Sequence, residues 1–197
     1  MEPDLRNLGL FGGTFDPPHE SHRRLAMAAL EHGGIDRLLV VPCNEHPWKR
    51  GLITASPDDR LALCRLAFAE IDGLDVSAIE IEHDGPSYTV ETVERLRTMY
   101  PGVRIKMLVG ADNVEGLSRW HRGNELLSMI DLLIYPRDGS SRPTDLPARS
   151  TWLDLPADDV SSTQIRDELA LGQRPAALRT SVFAEIHRRD LYRGTGD

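Results

Sequence analysis

Short apolar runs recur along this chain with helical spacing between them, and that alternation constrains the fold more than any other feature. The runs are LGLF at 8–11, RLLVVP at 37–42, VSAIEI at 76–81, RIKMLVG at 104–110 and DLLIYP at 131–136. Runs this short with little polar alternation suit strands covered on both faces, the condition of a parallel sheet. Between them, helical spacing extends over His19 to His32, Pro57 to Ile71 and Tyr88 to Tyr100, where Val90, Val93, Leu96 and Met99 share one side. Strand-helix alternation of this kind predicts an α/β fold, a single-domain doubly wound parallel sheet with right-handed crossovers. A length of 197 residues fits one such domain.

Residues 1–7 read as an N-terminal extension. The segment RDGSSRPTDLPAR at 137–149, dense in Gly, Ser, Pro and charge, reads as a surface loop before a last strand in STWLDL at 150–155. SSTQIRDELALG then has a Ser/Thr start and a Gly172 stop, and a C-terminal helix is expected near Thr180 to Arg189. The net charge of −8 argues against a nucleic-acid or anionic-membrane surface, so an anionic ligand must be met by a local pocket. Cys43 and Cys64 have neither zinc-ligand spacing nor a disulfide framework, which fits a reducing cytoplasm. No apolar run approaches the length of a membrane span, and MEPDLRN lacks the layout of a secretion signal.

In open α/β sheets, ligands sit beyond the carboxyl ends of the strands, near the point where strand order reverses. The unusual stretches of this chain fall in those loops: GGTFDPPHESH after the first run, PCNEHPWKR after the second, EHDGPSYT after the third and GADNVEGLSRWH after the fourth. In the first, Gly12 and Gly13 permit a sharp turn and close approach of an anion to backbone N–H groups. Pro17 and Pro18 lead into a helix starting near His19, whose free N–H groups and dipole favour an anion by roughly 0.3 to 1 kcal/mol. His19 and His22 fall on one side of its first turn. Two other readings compete: Asp16 as the helix cap with incidental histidines, or a metal site joining His19 and His22 to His83 and Asp84. The stretch is neither a Walker loop nor a GxGxxG turn.

Taken in order and at matching distances, GGTFDPPHESH, YTVETVERL, GADN with its following tryptophan, and SSTQIR resemble the motifs of bacterial nicotinate-mononucleotide adenylyltransferases. These belong to the nucleotidyltransferase superfamily marked by (T/H)xGH. The likeness runs from Gly12 to about Tyr192. It implies a Rossmann-like nucleotidyltransferase fold and transfer of the adenylyl group of ATP to nicotinate mononucleotide, giving deamido-NAD and pyrophosphate, with Mg2+ carried by the ATP phosphates and no protein metal ligand. By this resemblance His19, His22 and Arg166 act on the triphosphate, aided by Gly12, Gly13, Thr14 and Phe15. Ser162, Thr163 and Arg166 hold the β- and γ-phosphates, while Gly110 and Asp112 meet the nucleotide, Asp112 at a ribose. Trp120 stacks on the pyridine ring, Tyr88 and Thr89 line the site of its carboxylate, and Asn44 and Lys49 approach the mononucleotide's ribose and phosphate.

The chain departs from the family's pattern at two points. Ser21 stands where the family has Gly between the histidines, and Trp48 in HPWKR takes a position usually held by His. The alternatives are a related transferase using nicotinamide mononucleotide or phosphopantetheine, and a nucleotide sensor that kept the fold without the reaction.

Overall fold

The computed structural model describes residues 5–45, 53–83, 85–137, 142, 147, 149–155 and 160–193. Six parallel strands form one open sheet: β1 (Asn7–Gly13), β2 (Arg37–Pro42), β3 (Leu74–Val76), β4 (Arg104–Gly110), β5 (Ile130–Tyr135) and β6 (Ser150–Trp152), in the order β3-β2-β1-β4-β5-β6. Strand order reverses between β1 and β4, so the sheet is doubly wound as expected.

Alternating side chains send β1 into two cores. Leu8 and Leu10 join Leu39, Val41, Ile105 and Met107 under the helix α3 (Thr89–Met99), which contributes Val90, Val93 and Leu96. Phe11 faces the other way, into a core built from α1 (Glu20–His32), α2 (Pro57–Phe68), α6 (Ser162–Ala170) and α7 (Thr180–Arg188). The helix starts carry local signals. Ser56 caps α2 by accepting from the Asp59 N–H at 3.1 Å, with Pro57 at the first helical position, and Ser161 and Gln164 close a reciprocal box on α6.

β2 and β4 coincide with their predicted runs, but the third strand does not. Only Leu74–Val76 pairs with β2, from Leu38↔Leu74 to Val40↔Val76. Beyond it the chain closes a turn, with Glu82 N–H bonded to the Ala78 carbonyl at 2.9 Å, and Glu80 is buried where its carboxylate accepts from the Thr92 hydroxyl at 2.6 Å. The apolar pattern of 76–81 therefore serves a half-buried turn at a sheet edge. Met99, placed on the apolar side of α3 by spacing, is the last residue of that helix and is 58% exposed. Between β4 and β5 the chain forms α4 (Ala111–Val114), a 3-10 turn (Leu117–Arg119) and α5 (Gly123–Met129). Among the described residues no helix is long and apolar enough to cross a membrane.

α7 is fastened to α2 by Arg189, which bonds Asp59 at 2.7 Å and Glu185 at 2.6 Å, with Arg188 also on Glu185. These two guanidinium groups hold the Glu185 carboxyl down at about 2 against an ordinary 4.5. A carboxylate with a depressed folded-state pKa stabilises above its unfolded value and loses that contribution as pH falls. Thermal melts of Glu185→Gln are therefore expected to lose part of the pH dependence seen between 4.5 and about 2. Identical acid profiles for the variant and the parent would count against this fastening.

Candidate active site

β1 pairs with β4 only from Asn7↔Arg104 to Leu10↔Met107. Past that point β1 continues beside β2, up to Gly13↔Pro42, and β4 beside β5, up to Gly110↔Tyr135. The two central strands thus part at their carboxyl ends and open the crevice expected at a switch point. Gly12 and Gly13 line one side of it and Gly110, followed by the exposed Asp112 in α4, the other.

The turn after β1 differs from the expectation. Gly12 and Gly13 belong to the strand, and the left-handed residue is Phe15, at φ 50°. A Cβ on Gly13 would come within 2.9 Å of the Phe15 ring, so that glycine lets Phe15 fold back against the strand, while a Cβ on Gly12 would meet nothing within 4 Å and points into open crevice. Phe15 is buried with Phe11 and Phe68, ring centroids 5.2 and 6.0 Å away, and sets the His22 imidazole edge-on at 5.0 Å.

His19 is the residue before α1 and is buried; its ring lies 3.8 Å from that of His22, centroid to centroid. The His22 Nδ1 accepts from the His19 N–H at 3.2 Å. A ring nitrogen that accepts carries no proton, so Nε2 is the N–H of this imidazole and is the atom able to donate to an anion. The pair caps the helix in part, and Asp16 does not. The Asp16 carboxylate is instead buried among long-range donors: Thr54 N–H at 2.9 Å, Ala55 N–H at 3.1 Å and the Tyr192 hydroxyl at 2.7 Å.

α6 reaches the same loop from the far end of the sequence. Arg166 donates from Nη1 to the Asp16 carbonyl at 2.8 Å and lies 3.9 Å from its carboxylate, Nη2 bonds the Thr163 hydroxyl at 3.2 Å, and Ser162 donates to the Pro17 carbonyl at 3.0 Å. Two imidazoles, a guanidinium and the amino end of a helix thus gather around a loop whose Asp16 and Pro17 carbonyls are already bound. That set of donors suits a polyphosphate.

A second group of residues lines the mouth on the β2 and α3 side. Asn44 gives its amide to the carbonyls of His83 at 2.7 Å and Gly85 at 3.3 Å, and its N–H to the Ser87 hydroxyl at 2.9 Å. Tyr88 and Thr89 begin α3, and the Tyr88 ring lies 4.2 Å from that of His121. Trp120 ends the 3-10 turn, half-buried against the second core. The adjoining Arg122, held by Glu94 and Glu125, ties this turn to α3. Lys49 and Trp48 lie outside the described residues, as does Asp84. Among the described residues no cluster of three His, Cys, Asp or Glu side chains could hold a metal ion, and the His83 carbonyl is occupied by Asn44.

Sequence reasoning missed Arg60. It sits in α2, fully buried, and donates to the carbonyls of Thr14 at 2.8 Å, Asn44 at 2.9 Å and Ala55 at 3.3 Å. One guanidinium therefore binds the loops after β1 and β2 together. An arginine among Leu61, Leu63 and Cys64 was the only signal available.

A cytidylyltransferase-like family model matches residues 10–168. A protein of Gemmatimonas aurantiaca named "Probable nicotinate-nucleotide adenylyltransferase" is 37% identical over 203 residues, covering 96% of both chains. The nicotinate-nucleotide adenylyltransferase of Bacillus subtilis is 34% identical over 163 residues, covering 83% of this chain and 85% of its own.

 Among solved structures, the Plasmodium falciparum nicotinic acid mononucleotide adenylyltransferase complexed with NaAD superposes with a TM-score of 0.79 at 15% identity, covering 95% of this chain and 97% of that one, a likeness of fold. With the fold, the crevice and the relatives in agreement, the chain belongs to the nicotinate-nucleotide adenylyltransferase family of cytidylyltransferase-like proteins.

Proposed function

We propose that this chain transfers the adenylyl group of ATP to nicotinate mononucleotide, forming nicotinate adenine dinucleotide and releasing pyrophosphate. The observation that carries the reading is the meeting of Arg166 and Ser162 with the Asp16–Pro17 backbone, beside the paired imidazoles and at the switch point. A phosphate oxygen of the mononucleotide attacks the α-phosphorus, and the bond from that phosphorus to the bridging oxygen of pyrophosphate breaks. The nucleophile is already ionised at neutral pH, so the protein's task is to align two anions, a contribution worth roughly 7 to 11 kcal/mol.

In this reading the His22 Nε2–H and His19 bind the triphosphate and offset charge on the α-phosphate and leaving group, with backbone N–H groups of Gly12 to Phe15 assisting. Ser162, Thr163 and Arg166 take the β- and γ-phosphates, and Gly110 and Asp112 the adenosine. Because the Asn44 amide is spent on two carbonyls, its Oδ1 is the atom for a ribose hydroxyl. Tyr88, Thr89 and Trp120 form the pyridine subsite, Trp120 by stacking, and Lys49 serves the mononucleotide phosphate. Magnesium enters on the polyphosphate, since the donors around the loop are imidazoles, hydroxyls and guanidinium and the nearby Asp16 carboxylate is already taken. It supplies charge neutralisation of the phosphates when bound. Cys43 and Cys64 are buried thiols whose pKa values burial pushes up, which fits work in a reducing cytoplasm.

The test is to incubate the protein with MgATP and equal amounts of nicotinate and nicotinamide mononucleotides and identify the product by mass. Nicotinate adenine dinucleotide is expected to dominate. Equal use of both acceptors would remove the preference for the acid, and failure to form either dinucleotide would remove the assignment.

A further inference from the structure

We infer that Tyr192, in the segment after α7, is a positioning residue of the nucleotide site, acting through Asp16 on Arg166. This rests on the proposed function for what Arg166 binds. The Asp16 side chain is 3% exposed and that of Tyr192 is in a residue 5% exposed, so their 2.7 Å hydrogen bond is sheltered from water. A carboxylate so buried depends on its donors to satisfy and fix it. Two of them are backbone groups of the segment before α2, and the hydroxyl comes from 176 residues away. Burial and the neighbouring Asp16 charge push the Tyr192 phenol pKa up, which keeps it a donor.

Asp16 in turn holds Arg166 twice, by its carbonyl at 2.8 Å and by its carboxylate at 3.9 Å. The path from the C-terminal segment to the guanidinium therefore has one residue in it. The chain is bent to deliver the phenol: Asp190 and Tyr192 both adopt left-handed backbone, at φ 62° and 60°, and the Leu191 N–H bonds the Ile186 carbonyl at 3.0 Å. Such φ values are uncommon for non-glycine residues. Tyr192 also packs into the core that includes Phe15, Ile165 and Ile186, so its ring is anchored apart from its hydroxyl.

Tyr192→Phe in the full chain keeps the ring and removes the hydroxyl. Titration with MgATP without acceptor is expected to show affinity about tenfold weaker, the scale of one hydrogen bond to a charged group. KM for nicotinate mononucleotide is expected to stay within about twofold, a split that general loosening of the fold would not produce. In an Arg166→Ala background the same substitution is expected to add little, because the two act in series. Unchanged MgATP affinity, or losses that simply add in the double variant, would overturn the inference. If Tyr192→Phe fails to fold, Asp16→Asn tests the link from the other side, keeping an acceptor for Tyr192 and removing the charge facing Arg166. Lower MgATP affinity in that folded variant supports the step from Asp16 to Arg166 on which the inference depends, and unchanged affinity overturns it. Absence of adenylyl transfer by the unmodified protein would be a failure of the functional reading, whereas an active parent with an indifferent Tyr192→Phe is a failure of this one.

Discussion

His22→Ala is expected to lower kcat by about 10²- to 10³-fold, the scale of losing a preorganised donor at developing charge. The imidazole has two tasks that the substitution removes together. Its Nδ1 accepts from the His19 N–H, a capping contact whose loss costs about 0.5 to 2 kcal/mol of stability. Its Nε2–H is the donor assigned to phosphate. His22→Asn separates the two, since a side-chain carbonyl at the same helical position can still accept from His19 without the imidazole donor. The asparagine variant is expected to melt close to the parent yet remain as slow as the alanine variant in pyrophosphate release. Turnover near the parental rate in a folded His22→Asn would leave His22 with capping alone.

Arg60→Met is expected to destabilise the protein by roughly 3 to 5 kcal/mol in urea unfolding. Methionine fills much of the space but leaves the carbonyls of Thr14, Asn44 and Ala55 without their donor. Each buried orphan costs about 1 to 3 kcal/mol, and relaxation of the loops recovers part of the sum. Those loops follow β1 and β2, so KM for both substrates should rise along with the loss of stability. Arg60→Lys should recover only part, because one ammonium cannot reproduce a planar fork directed at three carbonyls. A loss below about 1 kcal/mol for Arg60→Met would mean that water serves these carbonyls when the guanidinium is gone.

Residues whose neighbours decide their state were legible in the chain itself. RLLVVP and RIKMLVG became β2 and β4 over their whole predicted lengths because strands covered on both faces need continuous apolar character, which a short window contains. His19 and His22 are three apart on a helical turn, so their meeting is also local. The same window misled where an apolar pattern served a turn: VSAIEI buries Glu80 against Thr92 and leaves only Val76 in β3. Gly12 and Gly13 read as the turn itself, whereas the reversal falls on Phe15, whose left-handed backbone is held by packing against Phe11 and Phe68.

The amino-acid order alone determined the layering of the sheet and the kinds of side chain available at its mouth, since apolar periodicity and turn residues act within a few positions. Tertiary structure decided what each polar group does there: Asp16 faces Tyr192 and not its own helix, Arg60 spans two loops from inside a core, and Arg166 rests on a carbonyl 150 residues away. The physical reason is that a buried charge must find donors or acceptors wherever folding brings them, and nothing in its immediate neighbours along the chain states how far away they are.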